Sequence, residues 1–375
     1  MSPPTGPVYF DLQATQSVEQ RHRGIPRYVA ELALALEEVA PGMVGAYLVN
    51  PDRALPAAAE RLIATGKLAS SADVDWRAAR LLHLASPLEM TVPPHRQLPA
   101  GARRAGVPRA VTFYDLIPYL MPQHYLEDAG LRRRYTARLQ LVRNATLVFT
   151  LSEATRRDAL DRLGLDPRRV LTVGTGTSAQ FVPPASRPAA AAAAAAAVGG
   201  LRPPFVFYIG SYERRKNLEP LLEAWSRLPG ELRGRWQLAL CCPLKASEER
   251  HLRYRAHQMG LSGDEICLTG FVPDDVLLLM HQGCDLFVFP SLYEGNGLPV
   301  AEALAAGAPV LASDSSSLPE LLAPEALFDA TDVGAMAAAL QRGLTDAGLR
   351  RRLLAAAGRP PTTWAEVASA TADAY

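Results

Sequence analysis

The sequence predicts an α/β protein built from two open parallel sheets, each covered by helices on both faces. Three observations carry this. Short apolar runs alternate with helix-period runs in both halves of the chain. A segment rich in Pro, Ala and Gly separates the halves. A strand-like run late in the chain empties into a polar, glycine-rich turn, the place where open α/β sheets bind ligands. The 375 residues are too many for one ordinary core.

In the first half, Val8–Asp11 reads as a strand, and Tyr28 to Val39 has apolar positions at helical spacing. Gly45–Val49 and Arg80–Leu84 read as further strands, and Arg109–Tyr114 leads into Asp115-Leu-Ile-Pro118. Thr146–Thr150 is followed by Ser152-Glu-Ala-Thr-Arg, a helix opening, and Arg169–Val173 ends at Gly174 and Gly176. After the break the rhythm resumes with the strand Pro204–Ile209, then a helix over Leu218–Ser226. Strands Trp236–Leu240 and Ile266–Leu268 flank a helix over Ser247–Met259. A helix over Asp274–His281, the strand Leu286–Phe289, a helix over Val300–Ala306 and the strand Pro309–Ala312 complete the pattern.

The break runs from Pro183-Pro184 through nine alanines, Ala189 to Ala197, to Gly199-Gly200 and Pro203-Pro204. Alanine favours helix, so the run is either a short helix or a linker. With prolines and glycines on both sides, the expectation is an interdomain linker over 188–203, between an N-terminal domain over 1–187 and a C-terminal domain over 204–360. The tail, 361–375, would pack back on the first domain.

Composition is that of a globular protein, with 49% apolar and 21% charged residues. Residues 1–188 hold 23 Lys+Arg against 17 Asp+Glu, and the rest 16 against 21. So slight an asymmetry gives no reason to expect a nucleic-acid partner, and leaves peripheral attachment to an anionic membrane surface open. Cys241 and Cys242 are adjacent, Cys267 and Cys284 stand alone, and none has the spacing of a metal knuckle; nor is a His-rich ligand cluster apparent, so no metal is expected. Neither a signal-peptide pattern nor a membrane-length apolar run is evident, which suggests a cytoplasmic protein.

The most informative segment is Pro290-Ser-Leu-Tyr-Glu-Gly-Asn-Gly-Leu-Pro-Val-Ala-Glu302. Glu294 lies in the turn and Glu302 about one turn into the following helix. Carboxylates accept several hydrogen bonds and suit hydroxyl-rich ligands, Glu294 at a reactive end and Glu302 on a polyol such as ribose. The other reading is two solvated glutamates favoured by a helix dipole. Asn296, Gly297 and Leu298 would present backbone N–H groups at the helix start, or form an ordinary glycine turn. The second constellation is Gly210-Ser-Tyr-Glu-Arg-Arg-Lys-Asn217. Cations just before a helix are disfavoured by its dipole, so they are either solvated or held there for a diphosphate, Arg215 as a fork and Lys216 as a point charge.

These segments resemble those of the GT-B glycosyltransferases, specifically the retaining family 4 type that includes bacterial mannosyltransferases of surface polysaccharide assembly. The hallmark is a Glu-x7-Glu motif, here Glu294 to Glu302, with Asn296 where members usually have Phe. The Gly210 segment is similar to the family's diphosphate site, with Ser211 where some members have Arg. Arg23-Gly24-Ile25-Pro26 resembles the first-domain loop that approaches donor phosphate and acceptor, with Pro26 replacing a glycine. Tyr114-Asp115-Leu-Ile-Pro resembles a His-Asp-Leu-Ile-Pro segment whose His sits beside the transferred sugar; Tyr114 can donate a hydrogen bond but carries no histidine charge. Ser315–Glu320 is like the loop after the Glu motif, where it implies structural support.

The resemblance implies two Rossmann-like domains facing each other across a cleft. It implies a metal-independent transferase that moves a hexose with retention from a nucleotide diphosphate sugar, GDP-mannose first, to a hydroxyl of a glycan or lipid-linked glycan. Catalytic roles would fall to Glu294, Arg215, Lys216, Tyr114 and Asp115, and donor binding to Gly24, Gly210, Arg215, Lys216, Glu294, Asn296, Gly297, Leu298 and Glu302. The chain ends at Tyr375, early for the family's last helix, so further domains of a longer protein are expected. The alternative is a weakly catalytic sugar-nucleotide-binding or scaffolding domain.

Overall fold

Runs such as Phe205-Val-Phe-Tyr and Leu286-Phe-Val-Phe289 are apolar on both faces, which suits a parallel strand covered from both sides. In the computed structural model, which describes residues 6–16, 24–90, 92, 97–358 and 362–375, they are such strands. The chain divides into two units, Met1–Gly176 with Thr362–Tyr375, and Thr177–Pro361.

The first unit contains β1 (Val8–Asp11), β2 (Val44–Leu48), β3 (Leu68–Ala69), β4 (Leu81–Leu84), β5 (Arg109–Phe113), β6 (Leu147–Thr150) and β7 (Val170–Thr172). All pairings are parallel, in the order β3-β2-β1-β4-β5-β6-β7. The second contains β8 (Phe205–Ile209), β9 (Gln237–Cys241), β10 (Ile266–Leu268), β11 (Leu286–Phe289), β12 (Val310–Ser313) and β13 (Leu327–Phe328), in the parallel order β10-β9-β8-β11-β12-β13. Each order reverses direction once, at β1/β4 and at β8/β11, and such a switch point opens a crevice at the strands' carboxyl ends. Phe205, Phe207, Phe287 and Phe289 are fully buried in the second sheet, each contributing about 2–3 kcal/mol by burial.

Several expectations are corrected. The segment expected to be a linker is a helix, Arg187–Ala197, belonging to the second unit, whose boundary falls at Thr177 rather than in the alanine run. Ala190, Ala191 and Ala194 are buried against the helix Asp274–Gly283. The close approach needs Gly283, where a Cβ would lie 2.6 Å from the backbone of Ala191. Arg187 donates from Nη1 to the Gly307 carbonyl at 2.7 Å and from Nη2 to the Cys284 carbonyl. The helix expected from Tyr28 spans Gly24–Val39 among the described residues, with Pro26 near its amino end. Strands β3 and β13, two residues each, are too short to show a period-2 pattern.

The tail forms the helix Trp364–Ala374, which packs on Gly24–Val39 within the first unit and buries Val367 and Ala368. Among the described residues, no helix is long and apolar enough to cross a membrane.

Candidate functional site

Three neighbouring strands of the second sheet, β8, β11 and β12, send their following loops to one place. β8 is followed directly by Gly210, where a Cβ would lie 2.4 Å from the buried Tyr208 hydroxyl, so a larger residue would force the tyrosine to move. The chain then makes a 3-10 turn over Arg214–Lys216 and leaves it through Asn217, which holds φ 59 and donates from Nδ2 to the Ala330 carbonyl at 2.7 Å. A single residue in this left-handed region is most tolerable for Asn or Gly. Leu292 N–H donates to the Arg215 carbonyl at 2.7 Å and joins the β8 loop to the β11 loop.

The join brings Glu294 onto both cations. Its Oε1 accepts from Lys216 Nζ at 2.6 Å and from Arg215 Nη1 at 3.1 Å. Arg215 also donates from Nε to Glu213 Oε2 at 3.2 Å, and Ser211 Oγ donates to Glu213 Oε1 at 2.9 Å. Lys216 Nζ lies 4.9 Å from the centre of the Phe289 ring. Glu294 and Lys216 are each 8% exposed, so these charges are largely dry. Burial alone would raise the Glu294 carboxyl, but Lys216 and Arg215 outweigh it and hold the group below the usual carboxylate range. Burial lowers the Lys216 ammonium, against the upward pull of Glu294.

After Glu294 the turn closes at Gly297, with φ 79 and a Cβ direction blocked by Leu318 at 2.5 Å. Gly297 starts the helix Leu298–Ala305 with no side-chain cap, and Pro lies in the first turn. Asn296 and Leu298 are half-buried at that helix start, and Glu302, 4% exposed, lies about one turn in. The arrangement offers cations for an anion, a carboxylate beside them, and an uncapped helix start next to both.

The remaining candidates lie in the first unit. Gly24 is exposed at the start of its helix; Arg23, quoted with it, lies outside the described residues. Tyr114 follows β5, donates to the Ala85 carbonyl at 2.8 Å, and meets the Tyr28 ring edge-on at 5.3 Å. Burial pushes its phenol well above the ordinary value. Asp115 is half-buried, and its Oδ1 accepts from Ile117 N–H at 2.9 Å. Among the described residues, no three His, Cys, Asp or Glu side chains are grouped to hold a metal ion.

Two contacts of the site have no local signal in the sequence, although the resemblance implies structural support from Ser315–Glu320. Glu213 supports Arg215 from two positions away, a spacing that carries no signal in an irregular turn. The run Ser313-Asp-Ser-Ser-Ser317 laces the β11 loop from β12, a relation visible only once those strands are neighbours.

Known proteins share this sequence and fold. The profile of "Glycosyl transferases group 1" matches residues 197–359, the stretch that holds all three loops. The serotype-specific mannosyltransferase WbdA of Escherichia coli is 32% identical over 243 residues, covering 64% of this chain and 30% of that protein. The O-antigen chain mannosyltransferase B of Escherichia coli is 29% identical over 287 residues, 75% of this chain and 72% of that one. The chain spans about a third of the length of the WbdA proteins it matches. HepE of Anabaena, solved with UDP and glucose, superposes with a TM-score of 0.69 at 16% identity, covering 99% of both chains. Sucrose-phosphate synthase of Thermosynechococcus elongatus does so with a TM-score of 0.67 at 20% identity, over 99% of this chain and 98% of that one. The two Rossmann-type sheets are thus those of the GT-B fold, and residues 197–359 match the group 1 glycosyl transferase family.

Proposed function

We propose that this chain transfers a hexosyl group, mannosyl in the first instance, from a nucleotide diphosphate sugar to a hydroxyl of a glycan or lipid-linked glycan, with retention. The observation that carries the reading is the convergence of Arg215 and Lys216 on Glu294 at the β8/β11 switch point. A diphosphate carries the charge that two nearly dry cations call for, and its departure in the reaction concentrates charge on the oxygen they would face. As the diphosphate takes up the cations' N–H bonds, Glu294 is released to accept from sugar hydroxyls. Glu302 would take the ribose. The bond from the sugar C1 to the phosphate oxygen breaks, the bond from C1 to the acceptor oxygen forms, and the acceptor proton passes to the leaving phosphate. Within the first unit, we assign Tyr114 and Asp115 to sugar binding and Gly24 to phosphate binding. The mannosyl preference is supported by the likeness to WbdA and to the O-antigen mannosyltransferase.

A thermal-shift screen with GDP, UDP, ADP and dTDP, followed by turnover of the matching sugars, tests this. GDP is expected to give the largest shift and GDP-mannose the fastest transfer or donor hydrolysis. Stabilisation by a non-guanine nucleotide alone would remove the mannose assignment. Unchanged turnover in both Glu294→Ala and Lys216→Ala would remove the site.

A further inference from the structure

Among the described residues, only Asn217 and Ser316 adopt a positive φ without being glycine. Both border the charged cluster. Asn217 directly follows Lys216, whereas Ser316 lies on the loop after β12 and carries no charge. A serine at φ 50 is strained, and such conformations persist where the surrounding structure enforces them. The hydrogen bonds show what it secures. Glu294 N–H donates to Ser316 Oγ at 2.8 Å, and Ser317 Oγ donates to the Glu294 carbonyl at 3.1 Å. Ser315 Oγ donates to the Leu292 carbonyl at 2.5 Å, and Ser313 Oγ to the Ser291 carbonyl. Four serine hydroxyls, one at the end of β12 and three on the loop after it, therefore grip the backbone of residues 291–294, two of them on Glu294 itself.

We infer that the serine segment 313–317 is a positioning device for Glu294, and that Ser316 is its central positioning residue. Glu294 sits on an irregular turn with glycine directly after it, so its own segment does little to fix it. The rigid support comes from the neighbouring strand: β11 and β12 are in register through Phe287–Val310, Val288–Leu311 and Phe289–Ala312, and the clasp begins where that pairing stops. Backbone bonds at both N–H and carbonyl of Glu294 fix the peptide planes on either side of its Cα. They thereby set the direction of the side chain that meets Lys216 and Arg215. A device of this kind matters most when the cations turn to a ligand and Glu294 must hold its place without them.

The inference rests on the transfer reading, and the experiment separates the two. The full chain is assayed with GDP-mannose and with UDP-, ADP- and dTDP-sugars as wild type, Ser316→Gly, Ser316→Ala and Glu294→Ala. Ser316→Gly relieves the φ strain but loses the bond, so it should melt at or above wild type while kcat falls on the order of 10- to 100-fold, with donor KM within about threefold. Ser316→Ala keeps the strain and loses the bond, and should lose both stability and kcat. Wild-type kcat in Ser316→Gly overturns the inference. So does a raised KM at unchanged kcat, which would make Ser316 a direct ligand contact. If wild type turns over no sugar and matches Glu294→Ala, the transfer reading itself falls and takes the inference with it.

Discussion

The two sheets share one strand order, apart from the extra edge strand β7 in the first, yet their carboxyl edges differ in electrostatics. In the second unit, Lys216, Arg215 and Glu294 meet as ions, and the Glu294 carboxyl is held low by its partners. In the first, Asp11 at the end of β1 is 4% exposed, and burial raises its carboxyl to about 6 although Gln13 donates to it from backbone and side chain. Burial also pushes the Tyr114 phenol, just after β5, well above its ordinary value. One edge is organised in advance for an anion, and the other, with no cation paired to Asp11 among the described residues, offers hydrogen-bond donors and acceptors that match the hydroxyls of an uncharged polyol. The shared topology fixes where a ligand sits, and the loop side chains decide which kind.

The largest expected contrast is in turnover. Lys216→Ala and Glu294→Ala each remove an interaction with charge or hydroxyls at the reacting end, and should lower kcat by about 10²- to 10³-fold. Tyr114→Phe, which removes a hydroxyl already engaged by the Ala85 carbonyl, should lower it by less than about tenfold. Steady-state kinetics on the three variants decides this, and a Tyr114→Phe loss equal to that of Lys216→Ala would erase the distinction between the edges.

Stability should move in opposite directions when charge is removed from each edge. Asp11 has a folded value near 6 and an ordinary value of 3.8. Between these, the folded state binds the proton more tightly, so stability falls as pH rises from about 4 to about 6 and is level above. Asp11→Asn keeps an acceptor for Gln13 and should stabilise the protein at pH 7 by up to about 3 kcal/mol. Glu294→Gln leaves buried Lys216 without its counterion and should destabilise by about 3 kcal/mol. Urea titration at pH 7 measures both; a destabilised Asp11→Asn would show that the first edge relies on the charge.

How much of this was legible in the sequence follows from how far apart the cooperating residues lie. Arg215, Lys216, Glu294 and Glu302 could be read because each stands in a short segment whose strand, turn and helix are local. That the cations would land on one Glu294 oxygen depends on β8 pairing with β11, and the serine clasp on β11 pairing with β12. Neither adjacency has a local signal. The alanine run was misread for a related reason: its composition suits linker and helix alike, and what decides is Gly283, more than eighty residues away, which lets the two helices touch.

The smallest effect at pH 7 concerns His83 and His281, the buried histidines among the described residues, one in each unit. His83 has both ring nitrogens engaged, by Thr112 Oγ1 at 2.8 Å and by the Tyr375 hydroxyl. His281 is fully buried among Phe181, Phe207 and Phe287, and neither of its ring nitrogens has a hydrogen-bond partner among the described residues. Burial lowers each imidazole from 6.5 to about 3. Both are therefore neutral when folded, whereas the unfolded chain takes up their protons as pH falls below 6.5. Stability should drop on acidification from 6.5 toward 3 by about 1.4 kcal/mol per pH unit for each histidine. His281→Leu removes one such contribution without stranding a partner, so it should gain about 1 kcal/mol at pH 7 and unfold at lower pH than wild type. His83→Leu leaves Thr112 and Tyr375 unsatisfied and should lose about 1–3 kcal/mol at pH 7. Acid unfolding followed by far-UV circular dichroism reads both variants; an unchanged acid midpoint in His281→Leu would mean that its imidazole is not the buried neutral group its surroundings require.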